Sequence, residues 1–217
     1  MTLWPPQIRS SCKRFTLHQL ASALLLLVAL IWSVWAQANE PAGLVEMRAL
    51  AKNLVETGLY DQAVEAHREI IRFTPNQAQS HYDLAATLTF LRLYDEAIEP
   101  ISAAERLDPR DPRYPKLAAL IFFALKHHSD AANASRRGAE LGDIQAMFTL
   151  SGMYQRGLGV PVDHAQAMHW TLQAAEGGHL GAMDFVIQIY TEGLLGQDKD
   201  LELAEIWRQR LRKAEAQ

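Results

Sequence analysis

The sequence predicts an all-α solenoid of helix-turn-helix repeats behind an export leader, and three observations carry that prediction. The segment TGLYDQAVEAHREIIRFTPN (57–76) superposes without a gap on LRLYDEAIEPISAAERLDPR (91–110), 34 positions further on. GAELGDIQAM (138–147) recurs as AAEGGHLGAM (174–183), 36 positions further on. The first 38 residues, by contrast, share no period with the remainder. A chain of 217 residues and 24.3 kDa has room for one large domain or a short repeat array, and fixed internal periods decide for the array.

The leader comes first. Arg9, Lys13 and Arg14 form a cationic start without an acidic residue, Ala21 to Ala36 is apolar apart from Ser22 and Ser33, and Ala36-Gln37-Ala38 places small residues before Asn39. This pattern predicts a signal peptide (1–38) cleaved between Ala38 and Asn39. The alternative is an uncleaved inner-membrane anchor with Trp32 and Trp35 at an interface, although the run is shorter than the span of about 20 residues that a bilayer requires. The leader has no twin-arginine pair, so general secretion to the periplasm or the exterior is expected. Cleavage leaves 18 basic against 25 acidic residues, a net charge of −7, which argues against a nucleic-acid partner. Cys12 is the single cysteine and precedes the apolar run, so the mature chain has no thiol for a disulfide or a zinc site.

Residues 39–142 hold the first set of units. Tyr60/Tyr94, Asp61/Asp95, Ala63/Ala97 and Pro75/Pro109 are each 34 apart, and Leu50-Ala51 pairs with Leu84-Ala85 at the same spacing. In each unit a first helix is expected to stop at Gly58 or Arg92, Asp61 or Asp95 to cap the second helix, and Pro75 or Pro109 to end it. Ala63 and Ala97 are small where two helices approach closely. A third unit opens with the cap-and-proline pair Asp111-Pro112, followed by KLAALIFFAL (116–125), the turn KHHSD (126–130) and SDAANASRRGAEL (129–141); Ala119 and Ala131 keep phase, but the turn has no glycine. The period and the small-residue positions resemble tetratricopeptide repeats. Met47 and His81 replace the tryptophan of that pattern, and Ala51 and Ala85 replace its glycine.

Residues 143–217 hold the second set. Ala139/Ala175, Glu140/Glu176, Gly142/Gly178, Ala146/Ala182, Met147/Met183, Tyr154/Tyr190 and Gly157/Gly193 are 36 apart, after which Ala167/Ala204 and Trp170/Trp207 are 37 apart. Leu150, Tyr154, Gly157, Gly159, Val160, Asp163, Ala167, Trp170 and Gly178 resemble a Sel-one-like repeat, a relative of the tetratricopeptide unit with a longer inter-helix loop. The second copy departs at Leu195 and Gly196. Together the two resemblances imply a right-handed α-solenoid of three tetratricopeptide-like and two Sel-one-like units, folding as one continuous array because each unit's apolar face is buried only by its neighbours.

The loop YQRGLGVPVD (154–163) poses a choice between a phosphate cradle and a turn. A cradle needs glycines leading into a helix N-terminus with a cation aimed at the anion. Here Pro161 follows the glycines, and Asp163, in the capping-box pattern DHAQ (163–166), places a carboxylate where the next helix begins. Gly157 and Gly159 are therefore read as residues with positive φ in the loop that lengthens the period.

Catalytic patterns are absent from the sequence. His67, His81, His127, His128, His164, His169 and His179 include no H-E-x-x-H arrangement; His127-His128 is expected in a solvated turn, and His67 stands where the resemblance places a packed aromatic. There is no G-x-S-x-G motif. Acidic residues fall at expected caps (Asp61, Asp95, Asp163, Asp200) or on outer faces (Glu65, Glu69, Glu99), and the sequon at Asn133 falls within an expected helix. Trp170 and Trp207 match the family position that packs a repeat's two helices together, and Tyr60 and Tyr94 are expected to support the same packing. No enzyme activity, metal or cofactor is expected.

The resemblance to tetratricopeptide proteins further implies a concave surface lined by first helices. The matching positions are Arg48, Lys52, Gln79, Tyr82, Phe90, Arg113, Lys116 and Phe123, four of them cationic. Such a stripe suits an acidic peptide or a C-terminal carboxylate, although the asparagines of a carboxylate clamp are missing, and long cations also simply solubilise a helix face. Resemblance to exported members of both families implies a non-catalytic scaffold or adaptor for a protein partner in the bacterial cell envelope. Two other readings stay open: an exported hydrolase acting on cell-wall glycan, which needs carboxylates or histidines facing one cleft, and a ligand- or glycan-binding sensor, which needs Tyr82, Phe90 and Phe123 as an open platform.

Overall fold

A computed structural model describes residues 42–216. The expected signal peptide, its cleavage point and the alternative anchor lie outside the described residues. Among those residues there are ten helices and no strand: α1 (Ala42–Glu56), α2 (Tyr60–Phe73), α3 (Ala78–Phe90), α4 (Tyr94–Leu107), α5 (Arg113–Ala124), α6 (His128–Glu140), α7 (Ile144–Arg156), α8 (His164–Glu176), α9 (Leu180–Glu192) and α10 (Leu201–Glu215). None is long and apolar enough to cross a membrane.

Met47–Gln217 form one compact unit, in which helix hairpins α3–α4, α5–α6, α7–α8 and α9–α10 pack in series and each hairpin also packs on the next. The small residues read from the periods stand at these contacts: Ala63, Ala97, Ala131, Ala167 and Ala204 are all sealed from solvent. Around them, Leu88, Ile101 and Ile121 join α3, α4 and α5 in one apolar cluster. Leu150 and Ile189 occupy buried positions on α7 and α9. Burying side chains of this size contributes about 1.5–3 kcal/mol each. Because that apolar surface is shared between neighbours, the array depends on adjacent contacts more than on any one unit.

The turns inside the first three pairs use one backbone device. Gly58, Arg92 and Lys126, each 34 apart, have φ of 77°, 60° and 62°. At each, the left-handed residue donates its N–H to Val55, Thr89 or Phe123, and the next residue donates to Leu54, Leu88 or Phe122. This is the Schellman arrangement, which satisfies the last carbonyls of the first helix without any side chain. The expected stops at Gly58 and Arg92 thus hold, and the third turn follows the same phase although its left-handed residue is a lysine. A side chain at positive φ costs about 1–2 kcal/mol. Arg92→Gly and Lys126→Gly are each expected to raise stability by about 0.5–1 kcal/mol, read as a higher urea midpoint, once the added freedom of glycine in the unfolded chain is subtracted.

The expected caps at Asp61 and Asp95 are corrected. α2 and α4 begin at Tyr60 and Tyr94 after Leu59 and Leu93, with no side-chain cap, and both aspartates lie in the first turn, where their charge interacts favourably with the positive end of the helix dipole. The Schellman turn feeds directly into the second helix and leaves no cap position for them. The cap expected at Asp111 is also shifted: Pro112 holds the N-cap position of α5, without a side-chain cap, and Asp111, one residue before it, accepts from the Arg113 N–H at 2.9 Å.

The long loop bears out the turn reading. Gly157 (φ 68°) ends α7 and Gly159 (φ 73°) follows, both in the left-handed region. Asp163 caps α8 by accepting from the Gln166 N–H at 2.9 Å. The reciprocal half of the capping box does not form, because the Asp163 N–H donates to the Tyr154 carbonyl and anchors the loop to α7 instead. Asp200 caps α10 in the same way, accepting from Glu202 and Leu203.

The expectation of a solvated His127-His128 turn holds for His127, which is exposed just before α6, and is corrected for His128. His128 is the first residue of α6, its Nδ1 is buried without a hydrogen-bond partner, and the Gly159 loop lies against its carbonyl.

Candidate functional site

The first helices of successive hairpins, α5, α7 and α9, line a groove of about 990 Å3. Its apolar wall is Leu120 and Phe123 from α5, Phe148 from α7 and Phe185 from α9. Leu120 is 52% and Phe123 49% exposed, high values for large apolar residues facing a concavity. Gly152 and Gly181, one turn from Phe148 and Phe185, keep the groove open where a side chain would enter it.

Polar contacts brace this wall. His179 caps α9, its Nδ1 accepting from the Ala182 N–H at 3.0 Å; the ring is then neutral, and Nε2 donates to Gln145 at 3.1 Å. The same imidazole packs at a tilt of 35° against Phe148, 4.5 Å between ring centres. Buried Ser151 and Thr171 share a hydrogen bond of 2.6 Å beneath the groove and tie α7 to α8. At the margin Lys116 pairs with Asp143 at 3.3 Å, and Asp143 also caps α7.

The eight residues expected on the partner surface do not form one stripe. Lys116 and Phe123 line this groove. Arg48, Lys52 and Gln79 line a second cavity, of about 550 Å3, among α1, α2 and α3. Arg113 lies between the two, held by both oxygens of Asp111 and donating to Gln79 at 3.0 Å, with its guanidinium 5.2 Å from the Tyr82 ring centre. The hydrogen bond with Arg113 is the main cause that holds the Asp111 carboxyl below its ordinary range and raises the guanidinium still further. Phe90 lines neither cavity and stacks on Tyr60 at 4.3 Å. Each aromatic of the expected platform thus packs on a different partner: Tyr82 on Tyr114, Phe90 on Tyr60 and Phe123 on His128.

The cations are also less available than the sequence implied. Lys52 pairs with Glu56 at 3.8 Å, and Arg48 donates to Gln77. Exposed pairs of this kind contribute little to stability, about 0–1 kcal/mol, so a partner's carboxylate can displace them at small cost.

Residues 144–179 and 180–210, the α7–α8 and α9–α10 segments that build two of the three groove walls, match the Sel1 repeat model. The chain carries two Sel1 repeats on a tetratricopeptide-like fold. Among solved structures, a Sel1 repeat protein from Oxalobacter formigenes is similar over 69% of this chain and 61% of its own, with 26% identity and a TM-score of 0.54. YrrB, a TPR protein with an unusual peptide-binding site, shares the fold over 84% of this chain and 91% of its own, with 15% identity and a TM-score of 0.54. Chitin synthase regulatory factor 2 of Schizosaccharomyces pombe (strain 972 / ATCC 24843) is 31% identical over 74 residues, 34% of this chain and 14% of that protein. The chain thus spans a small part of that regulatory factor and less than two thirds of the Oxalobacter protein. Sel1 and TPR-like repeats mediate protein–protein interactions and are generally non-catalytic.

Trp207 of the second Sel1 repeat is buried among Ala174, Ala175, Met183 and Val186, as its spacing implied. Trp170 of the first is partly buried against Ala139, Ala146 and Leu150. His67 is a packed imidazole, 7% exposed. Burial lowers its pKa, partly offset by Asp83. The folded protein therefore takes up this proton only at lower pH than the unfolded chain, which binds it near about pH 6.5. His67 stabilisation is present above that range and is lost as pH falls through it. His67→Phe is expected to flatten the decline in urea midpoint between about pH 7.5 and 5.5. Burial raises the Asp83 pKa, and this acts with opposite sign: its contribution is lost as pH rises.

Proposed function

We propose that this protein is a non-catalytic scaffold of the bacterial cell envelope that holds a protein partner in the groove of α5, α7 and α9. The observation that carries this reading is the groove itself: three successive first helices leave Leu120 and Phe123 half exposed, together with Phe148 and Phe185, in a concavity of about 990 Å3. Exposed apolar surface in a concave setting is where a partner gains most from burial. The peptide-binding site named for YrrB, on the same fold, supports a peptide segment as the occupant. Lys116 and Arg156 place positive charge at the groove, and this favours an acidic segment flanking the apolar contacts. Arg48, Lys52, Gln79, Tyr82, Phe90 and Arg113 belong to this reading as a contact running on towards α1. The leader pattern read from the sequence is what supports the envelope.

The test is a partner recovered by crosslinking in the envelope and then purified. Phe123→Glu is expected to weaken its binding by at least about tenfold, the loss of one central apolar anchor. Glutamate at Arg48, Lys52, Arg113 and Lys116 together is expected to weaken an acidic partner further and to remove its salt dependence. Unchanged affinity in Phe123→Glu contradicts the groove, whereas unchanged affinity in the charge reversal contradicts only the acidic segment.

A further inference from the structure

The cavity among α1, α2 and α3 differs from the groove in kind. It holds about 550 Å3, and its wall includes His67 from α2 with Gln79, Ser80 and Asp83 from α3, while Arg48 and Lys52 stand on α1. His67 is almost fully buried, yet neither ring nitrogen takes part in a hydrogen bond among the described residues. Its nitrogens are not among the sealed atoms, as Nδ1 of His128 is, so they open onto the cavity. Asp83 accepts from Gln79 through Oδ1 at 2.6 Å, and Oδ2 accepts no hydrogen bond among the described residues, although the charges of His67, Arg113 and Arg48 reach this carboxylate.

Packing accounts for the ring of His67 but not for polar atoms of His67 and Asp83 on the cavity wall. Polar groups withdrawn from water cost about 1–3 kcal/mol unless hydrogen-bonded, and an aromatic ring at position 67 fills a helix contact without that cost. The burial of both groups is visible in their ionisation: desolvation lowers His67 and raises Asp83, and each is partly offset by the other's charge. A neutral imidazole offers one acceptor nitrogen and Asp83 Oδ2 a second. Two recessed acceptors thus face a space bordered by two cations, with the Lys52 side chain 78% exposed.

We propose that this cavity binds a small zwitterion, an α-amino acid or a dipeptide, with its ammonium group against Asp83 and His67 and its carboxylate on Arg48 and Lys52. An ammonium group supplies the donors that both acceptors lack. The carboxylate replaces the weak Lys52–Glu56 pair of 3.8 Å and adds to what Arg48 already holds. A cavity of this size falls within the range of small-molecule sites, about 300–1,000 Å3, and has room for a side chain beyond the two charged groups. The cavity is distinct from the groove of α5, α7 and α9, although Arg48, Lys52 and Gln79 also belong to the proposed partner surface, and zwitterion binding stands whether or not that groove binds a protein.

Calorimetric titration of the full chain with glycine, L-alanine, L-glutamate and glycylglycine tests this, with ethylamine and acetate as single-charge probes. At least one zwitterion is expected to bind at concentrations up to about 10 mM, and at least tenfold more tightly than either single-charge probe. Asp83→Asn and Lys52→Glu are each expected to weaken it by about tenfold or more, the loss of one charge-assisted contact. Phe123→Glu, in the other groove, is expected to leave it unchanged. Lys52 is exposed, so its variant remains informative even if Asp83→Asn fails to fold. No binding by any zwitterion, equal binding of acetate alone, or full binding by Lys52→Glu overturns the proposal.

Discussion

Gly159→Ala is expected to lower stability by about 3–5 kcal/mol, the sum of left-handed backbone strain and a hard overlap. A Cβ at this position comes within 1.9 Å of the His128 carbonyl oxygen and 2.6 Å of the Ser129 nitrogen. Both are backbone atoms in the first turn of α6, so no rotamer change relieves the contact. The loop must lift away from α6, and with it goes the Asp163 N–H bond that fastens the loop to α7. Gly142 is the control. Its φ is also positive, at 88°, but nothing lies within 4 Å of an added Cβ, so Gly142→Ala is expected to cost only about 1–2 kcal/mol. Urea denaturation of both variants checks the difference. Equal losses would mean that the Gly159 loop does not clasp the preceding hairpin.

Trp207→Ala is expected to cost about 3–5 kcal/mol, the usual range for a buried aromatic. Its ring is 6% exposed, is surrounded by small and flexible side chains of α8 and α9, and is covered by the Arg210 guanidinium at 4.6 Å. α10 packs chiefly on α9, so the loss is expected to be local. In a linear array a unit with one strong neighbour opens before units with two. Hydrogen exchange should show protection falling first across Leu201–Glu215, with α3–α6 retaining wild-type protection. A uniform fall along the chain would indicate a single cooperative block instead.

Much of this architecture was legible because repeats expose their own register. Gly58 alone marks a turn, but its phase predicts Arg92 and Lys126 as the matching left-handed positions, which residue type would never suggest. The alanines at 63, 97, 131, 167 and 204 were likewise readable as close-contact sites. The caps at Asp61 and Asp95 misled because an aspartate near a helix start looks alike whether it caps or sits in the first turn; backbone bonds from the turn made a side-chain cap unnecessary.

The site was less legible. Resemblance placed a stripe on α1, α3 and α5; the structure puts Lys116 and Phe123 in one cavity, Arg48, Lys52 and Gln79 in another, and Tyr82, Phe90 and Arg113 in neither. Two of the three groove walls come from the Sel1 first helices, where the spacing of Phe148 with Gly152 and of Gly181 with Phe185 put an aromatic and a gap on one face. That signal was present in the sequence but is weak, since the same spacing also describes a buried face. The His67–Asp83 wall has no linear signature, because the two residues meet only when α2 packs on α3.

The measurement that tests partner binding most directly is site-specific photocrosslinking in the native envelope. A photoreactive residue placed at Leu120, in the groove, is compared with one at Asn133 or Gln173, exposed on the second helices α6 and α8. The expected result is one discrete protein adduct from position 120, absent from 133 and 173 and lost when Phe123→Glu is added. An adduct of the same protein from the second-helix positions, with none from 120, would contradict an inner groove as the contact surface.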